Sequence, residues 1–515
     1  TPAVFLTAAI TCSLSGADTN QKPTASLPGF DPGSGITQEE VSKIVEWALE
    51  TYKVPGAAVA IVKDGEVFLA EGYGVRNSET GDPVDKDTIF QLASVSKTFT
   101  AASFAAAVDK DLLKWETPAR EALSDFAMYT DYATQWVDGT DFMTHRSGFP
   151  GFFGDLFDHL GYSRADIIHR MRFVKPGYSF RDHPEYSNLG FFLAGEMTAA
   201  AEKKTFEEVV QDSLLTPLGM KDTGKAEILM ETETNTAASH IETDDGFEVV
   251  PHNLSKVFVA AGGLASTATD LALYMQMLVD KGQFQGNEIL SSEAIDRMFT
   301  PVITPAESFS EFPPINENSG FDYSPGWGVF HYNGLKVMEK GGALDGVRTI
   351  VIVIPQEKFG IAVLANMNLT ALPEAVRAGV LQQMFGRPGE EDLQPEIFDR
   401  SEKIHKMLFG SMTKPEADPS ITENQVKAFV GNYVNDLYGE WQIIPDAAAD
   451  SGLTLVMGVD GYRGKVTVSS PSELTVEWPI VISAPEEIPF EIEKGKSASS
   501  FDFDGYTFRR LGSAE

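Results

Sequence analysis

Two groups of strand-forming residues lie at opposite ends of a long stretch that is otherwise helical or irregular, and this separation limits how the chain can fold. Near the start, PGAAVAIVKDGEVFLAEGYGVRN carries two β-rich runs around Asp64-Gly65. That dipeptide accepts the left-handed backbone of a tight hairpin turn. Three further runs, LKVMEKGG, VRTIVIVI and FGIAVLANM, begin only at Leu335. A sheet assembled from both ends of one domain follows, with the intervening helices left to cover it. Before the hairpin, TQEEVSKIVEWALETY has apolar residues at helical spacing and a Thr three residues ahead of Glu40, so a capped helix is expected there.

At 515 residues and 43% apolar, the chain has room for two or three domains with their own cores. Acidic residues outnumber basic ones 75 to 40, and the net charge of −35 repels nucleic acid and anionic lipid, so neither is expected as a partner. The first residues, TPAVFLTAAITCSLSGADT, read as a secretory leader over 1–17, followed by a Pro/Gly/Ser-rich linker over 18–36. No later apolar run is long enough to span a membrane, and a periplasmic or secreted protein is the expectation. The single cysteine, Cys12, lies in the leader; anchoring through it is the less favoured reading because Thr11 precedes it poorly. Residues 301–326, rich in proline and aromatics without periodicity, read as a long loop. A charged, proline-containing connector is expected over 389–422, and short alternating runs after Val426 point to a small β-barrel over 423–515.

The stretch FQLASVSKTFTAASFAAAV sets Ser94 and Lys97 at the start of a helix apolar enough to be buried. An ammonium there needs a reason. Residues three apart share a helix face, so the hydroxyl and the amine come within hydrogen-bonding reach. A lysine removed from water, or held near another cation, loses part of its preference for the charged state and can then take a proton. A helix N-terminus favours developing negative charge. By itself S-x-x-K is a weak signal. Two partners follow in order: Tyr186 in PEYSNLGFFLAGEM and Lys340 in VMEKGGALDGVRTIVIVIP.

This order of S-x-x-K, Y-x-N and K-x-G resembles class C β-lactamases and the wider family of penicillin-binding-protein-like serine hydrolases. MTHRSGFPG at Met143, PLGMKDTG at Pro217, AAGGLASTATDLALYMQML at Ala260 and IAVLANMN at Ile361 look like further landmarks, so the likeness covers roughly residues 36–385. The resemblance implies an α+β fold (an α/β sandwich), an antiparallel sheet flanked by helices over 37–388. The tail resembles the lipocalin-like all-β barrel of many members. Carried over by position, Ser94 becomes the nucleophile and Lys97 its proton acceptor or activator, with Tyr186 sharing the relay. Asn188 contacts Lys97 and the substrate's amide. Lys340, Gly342 and Ala343 bind substrate, the backbone N–H groups of Ser94 and Ala343 forming the oxyanion hole. Which of Lys97 and Tyr186 is the base stays open.

The departures are informative. The chain has Lys340-Gly341-Gly342 where lactamases usually carry K-T-G, so it lacks a hydroxyl that binds a substrate carboxylate, and efficient β-lactam hydrolysis is not expected. A fixed charge on Lys340 suits a carboxylate-bearing substrate. Asp345 is read as a turn residue, with contact to a substrate amine as the alternative. His145 is read as structural, and His183 as a residue that either lines the pocket or does not. The histidines lack metal-ligand spacing, so no metal and no cofactor are expected. The expected activity is hydrolysis of amide bonds in small peptides through an acyl-enzyme. A carboxylesterase or weak β-lactamase is the alternative, and a penicillin-binding sensor without turnover is the alternative of another class. Oligomeric state is left open.

Overall fold

The computed structural model describes residues 25–243, 246–305, 321–411, 417–478 and 485–512. The leader expected over 1–17 therefore lies outside the described residues. Helix α1 (Gln38–Thr51) begins at a reciprocal cap between Thr37 and Glu40. Strands β1 (Gly56–Lys63) and β2 (Glu66–Gly74) are joined by Asp64 and Gly65, at φ 55° and 80°. Both turn residues are left-handed, which matches the twist of the flanking strands.

Helices α2 (Ser96–Asp109), α3 (Asn188–Glu202) and α4 (Ala268–Val279) lie in the intervening stretch. The chain then returns through β3 (Asp322–Ser324), β4 (Trp327–Tyr332), β5 (Leu335–Leu344), β6 (Val347–Ile354) and β7 (Phe359–Ala365), and ends the domain with α5 (Leu372–Phe385). The sheet runs β3-β4-β5-β6-β7-β1-β2, antiparallel throughout, and Val59 of the early hairpin sits opposite Val363 of the late one. The loop read over 301–326 thus ends in an edge strand, because Tyr323 pairs with Ile303 and Gly328.

Strand periodicity sorts the side chains onto two faces. Ala57, Val59, Ile61, Ile350 and Ile352 pack with Val45 of α1 and Val376 of α5. Ala58, Ala60, Val62, Val351 and Val353 pack with Phe99 of α2 and Leu271 of α4. Covered on both sides, β6 and β7 are buried at every position, which is why their sequences read as unbroken apolar runs. Each such Val or Ile contributes about 1.5–3 kcal/mol on burial. The α5 face is also pinned by buried ion pairs, Arg377 with Glu339 at 2.6 Å and Arg348 with Glu374 at 2.5 Å. Glu339 directly precedes Lys340, so β5 is held in place on the side facing away from α2.

A helix over Gln394–Ser411 and a capped turn of helix over Glu423–Phe429 lead to a closed antiparallel barrel. Its strands are β8 (Gly431–Asn435), β9 (Gly439–Pro445), β10 (Leu453–Met457), β11 (Tyr462–Ser470), β12 (Glu473–Glu477), β13 (Glu486–Glu491), β14 (Ser500–Phe503) and β15 (Tyr506–Arg510). Closure comes from pairing of β15 with β8 at Tyr433 and Arg510. Buried rings fill the barrel: Phe508 lies 4.6 Å from both Trp441 and Phe501. The barrel rests on residues 153–175 of the larger domain. Tyr438 stacks on Phe157 at 5.4 Å, Tyr162 donates to the Tyr438 carbonyl at 2.9 Å, and Val459 N–H donates to the Leu160 carbonyl at 2.7 Å. Among the described residues, no helix is long and apolar enough to cross a membrane.

Two barrel carboxyls carry a pH dependence. Burial pushes Asp504 up to about 6 from 3.8 and Glu486 up to about 8 from 4.5. Because folding raises both values, the folded state binds more protons than the unfolded one. Their contribution to stability is complete below the unfolded values and is lost as pH rises through about 6 and then about 8. Calorimetry should give a lower barrel melting temperature under mildly alkaline than under mildly acidic conditions. In a double Asp504→Asn, Glu486→Gln variant that difference should shrink.

Candidate active site

Ser94 sits in a single 3₁₀ turn, Ala93–Val95, that runs directly into α2. Ser94 thus stands two residues ahead of α2, and Lys97 is the second residue of that helix. Ala93 before it is held at φ 49°, an uncommon conformation for a residue with a Cβ. His145 and Phe152, both close to Tyr186, are left-handed too, at φ 61° and 55°. From Thr88 to Ala107 every residue is buried except Ser94. The hydroxyl is thus the one point of this segment that a substrate can reach.

Lys97 is completely buried, and its Nζ donates to three oxygens: Ser94 Oγ at 3.0 Å, Asn188 Oδ1 at 2.7 Å and the Ala261 carbonyl at 2.6 Å. Burial, reinforced by Lys340 and partly opposed by Asp155, pulls its pKa well below that of an ordinary lysine. A neutral amine has two N–H groups and one lone pair. Asn188 Oδ1 and the Ala261 carbonyl can only accept, so they take both N–H groups and leave the lone pair facing the Ser94 hydroxyl.

Asn188 opens α3 and Ser187 caps it, accepting from Gly190 N–H at 3.3 Å. Tyr186 just ahead of the cap donates to Ser94 Oγ at 2.9 Å. Its ring packs against those of His145, 4.4 Å away, and Phe152, 5.0 Å away. His145 is a scaffold for this arrangement: its Nδ1 accepts from Ser187 N–H at 3.0 Å, so Nε2 carries the proton and meets the Tyr323 hydroxyl at 3.2 Å. Burial, followed by the two lysines, keeps its ring neutral by lowering its pKa well below 6.5.

Lys340 differs from expectation. It is almost fully buried, and its Nζ donates inward to the hydroxyls of Tyr323 at 3.0 Å and Tyr186 at 3.3 Å. Burial lowers its pKa to about 7, with Glu339 opposing. The expected fixed charge facing a substrate carboxylate is therefore replaced by a titrating amine behind Tyr186. Gly342 on the same strand is needed for close approach: a Cβ there would lie 2.5 Å from the Leu92 carbonyl and 2.9 Å from Ser94 N. The next residue, Ala343, is partly exposed, as Ser94 is. Asp345 occupies the two-residue turn between β5 and β6 and accepts from Asn253 Nδ2 at 3.3 Å. His183 is exposed, beside Asp182 and Glu185, and reaches none of these groups.

Three side chains belong to the arrangement without having been singled out in the sequence. Tyr323 bridges Lys340 and His145. Thr349 of β6 donates to the Leu92 carbonyl at 2.8 Å and so ties the sheet to the serine turn. Asp155 accepts from Asn188 Nδ2 with both oxygens, at 3.0 and 2.9 Å. Among the described residues, no group of three or more His, Cys, Asp or Glu side chains is arranged to hold a metal ion.

Comparison with known proteins places the chain in a family. The unguisins hydrolase of Aspergillus campestris is 24% identical over 441 residues, covering 81% of this chain and 79% of that one. The octameric penicillin-binding protein homologue from Pyrococcus abyssi superposes with a TM-score of 0.54 at 21% identity, over 92% of this chain and 100% of its own. SurE crystallised with D-Leu gives 0.55 at 19% identity, over 92% and 99%. Both structures share the fold, barrel region included. The beta-lactamase family model matches residues 41–383, a span that contains both ends of the sheet and every residue gathered around Ser94. The chain belongs to the beta-lactamase family of hydrolases.

Proposed function

We propose that this hydrolase cleaves amide bonds of small peptides through an acyl-enzyme on Ser94. The observation that carries the reading is the set of three contacts at Lys97: once the amine is neutral, Asn188 and Ala261 take its two N–H groups and its lone pair is left for the serine hydroxyl. Lys97 takes the Ser94 proton as Oγ bonds to the carbonyl carbon. The resulting oxyanion is met by the N–H groups of Ser94 and Ala343. Tyr186, linked to Lys340, passes a proton to the leaving amine as the carbon–nitrogen bond breaks, and water then releases the acid by the same route in reverse.

The preference for peptides draws support from two relatives. One is named as a hydrolase of unguisins, and SurE is described with D-Leu, an amino acid of D configuration. The open side of Ser94 and the inward-facing Lys340 fit a substrate recognised through its backbone rather than through a carboxylate. The test combines fluorophosphonate labelling with a panel of D- and L-aminoacyl anilides, p-nitrophenyl esters and nitrocefin. Labelling that disappears in Ser94→Ala, with steady turnover of anilides, is expected. Turnover of esters alone would move the assignment to a carboxylesterase. Stoichiometric labelling by penicillin with no turnover of any substrate would make the protein a sensor.

A further inference from the structure

Asp155 stands beside the amines without touching the serine. It opens the short turn Asp155–Asp158, behind Gly154 at φ 83°, and is only partly exposed. Its carboxylate accepts from Asn188 Nδ2 with both oxygens, while Asn188 Oδ1 accepts from Lys97. The two ends of an asparagine amide are nearly identical in shape and opposite in hydrogen-bonding sense. A carboxylate on one side, acceptor-only when ionised, therefore decides which end faces the other.

We infer that Asp155 is a positioning residue for the proposed reaction: it locks the Asn188 amide with its oxygen towards Lys97 and so keeps the lysine lone pair on Ser94. This rests on the serine hydrolase reading above. If Asn188 turned over, its N–H₂ would donate to Lys97 instead. The amine's two N–H groups would then go to Ala261 and Ser94, and its lone pair would point away from the proton it must take.

Asp155 also acts through charge. It is the carboxylate that favours protonated Lys97, against burial and Lys340. Burial raises its own pKa to about 7. The other titratable groups facing the pair are Lys340 on β5, Tyr186 ahead of α3, His145, Tyr323 on β3 and Asp158 on Asp155's own turn. All are retained when Asp155 alone is changed.

Asp155→Asn keeps the shape, removes the charge and offers Asn188 a donor as well as an acceptor. Two effects of opposite appearance follow. The plateau kcat should fall, on the order of 10²-fold, because the base is misdirected, with KM changed less than kcat. The acid limb of the pH–rate profile should move to lower pH, since losing the carboxylate lowers the Lys97 pKa and the base is active when neutral. A merely structural role would lower the plateau and leave the limb in place. The experiment measures fluorophosphonate labelling rates and anilide turnover against pH for wild type and Asp155→Asn, with melting temperatures alongside. If Asp155→Asn does not fold, Asp155→Ser, which also lacks the charge, is measured in its place and should show the same shift of the acid limb. A variant with wild-type kcat, or with a reduced kcat and an unmoved acid limb, overturns the inference while labelled wild type keeps the function. A wild type that is never labelled at Ser94 overturns both.

Discussion

Replacing Lys97 by methionine is expected to lower kcat by about 10³- to 10⁴-fold while leaving a folded protein. Methionine fills nearly the same volume, so no cavity opens in the fully buried space beside Ser94. The stability effect is small because two changes oppose each other. Asn188 Oδ1 and the Ala261 carbonyl lose their donor, at about 1–3 kcal/mol for each buried acceptor left unpaired. Against this, an amine that burial and Lys340 already disfavour as a cation is removed from the interior. The rate falls because, among the described residues, no other hydrogen-bond partner of Ser94 Oγ is set to take its proton: Tyr186 donates to it, and Lys340 lies behind Tyr186. The wild-type pH profile supplies the second check. With the Lys97 pKa held well below that of an ordinary lysine, the acid limb lies far below pH 10, the region in which an exposed amine would first become a base. Stopped-flow labelling and steady-state turnover measure both quantities. A methionine variant that retains a substantial fraction of wild-type kcat would shift the base assignment to Tyr186.

The parts of this architecture legible in the sequence are those written in local patterns. Asp64-Gly65 announces a left-handed turn, and the turn sets the first pairs of the hairpin, Lys63 with Glu66 and Val62 with Val67, before the register shifts at Ile61. Continuous apolar runs at Val347 and Phe359 announce strands covered on both faces. The alternation after Val426 announces a barrel whose inner side is aromatic. Ser94, Lys97, Tyr186 and Asn188 were legible because each lies in a short spaced motif, and the structure brings all four within one hydrogen-bonded group.

What stayed hidden depends on contacts between distant segments. Asp155 has no motif of its own; its position acquires meaning only because α3 carries Asn188 to it. Tyr323 lies in an aperiodic stretch, and its role appears once β3 forms the sheet edge next to Lys340. The charge on Lys340 could not be read at all. A lysine on a strand looks permanently cationic in sequence, whereas the packing of β5 against the serine turn removes it from water and brings it to about 7. Burial is a property of the assembled sheet, so titration behaviour is the last thing a sequence discloses.

Tyr438→Ala is expected to produce the largest stability loss, about 3–5 kcal/mol for removal of a buried aromatic ring. The ring is 1% exposed and lies where the barrel meets the larger domain. On one side it faces Trp441, Phe503 and Phe508 of the barrel; on the other it faces Phe153 and Phe157 of the docking segment. Its hydroxyl donates to Asp504 at 2.6 Å. Removing it opens a cavity on both sides at once, and a domain of the barrel's size should melt roughly 10 °C lower or more. Tyr438→Phe separates ring from hydroxyl: it keeps the packing and loses one hydrogen bond to a carboxyl group, at about 1.5–3 kcal/mol. The alanine variant has a second expected consequence, because Phe153 and Phe157 bracket Asp155 in the chain. Loosening their seat on the barrel loosens the turn that orients Asn188, so kcat should fall in Tyr438→Ala even at temperatures where calorimetry finds both domains folded, and should be largely retained in Tyr438→Phe. Equal kcat in wild type and Tyr438→Ala under those conditions would mean that the barrel stabilises the protein without bearing on Ser94.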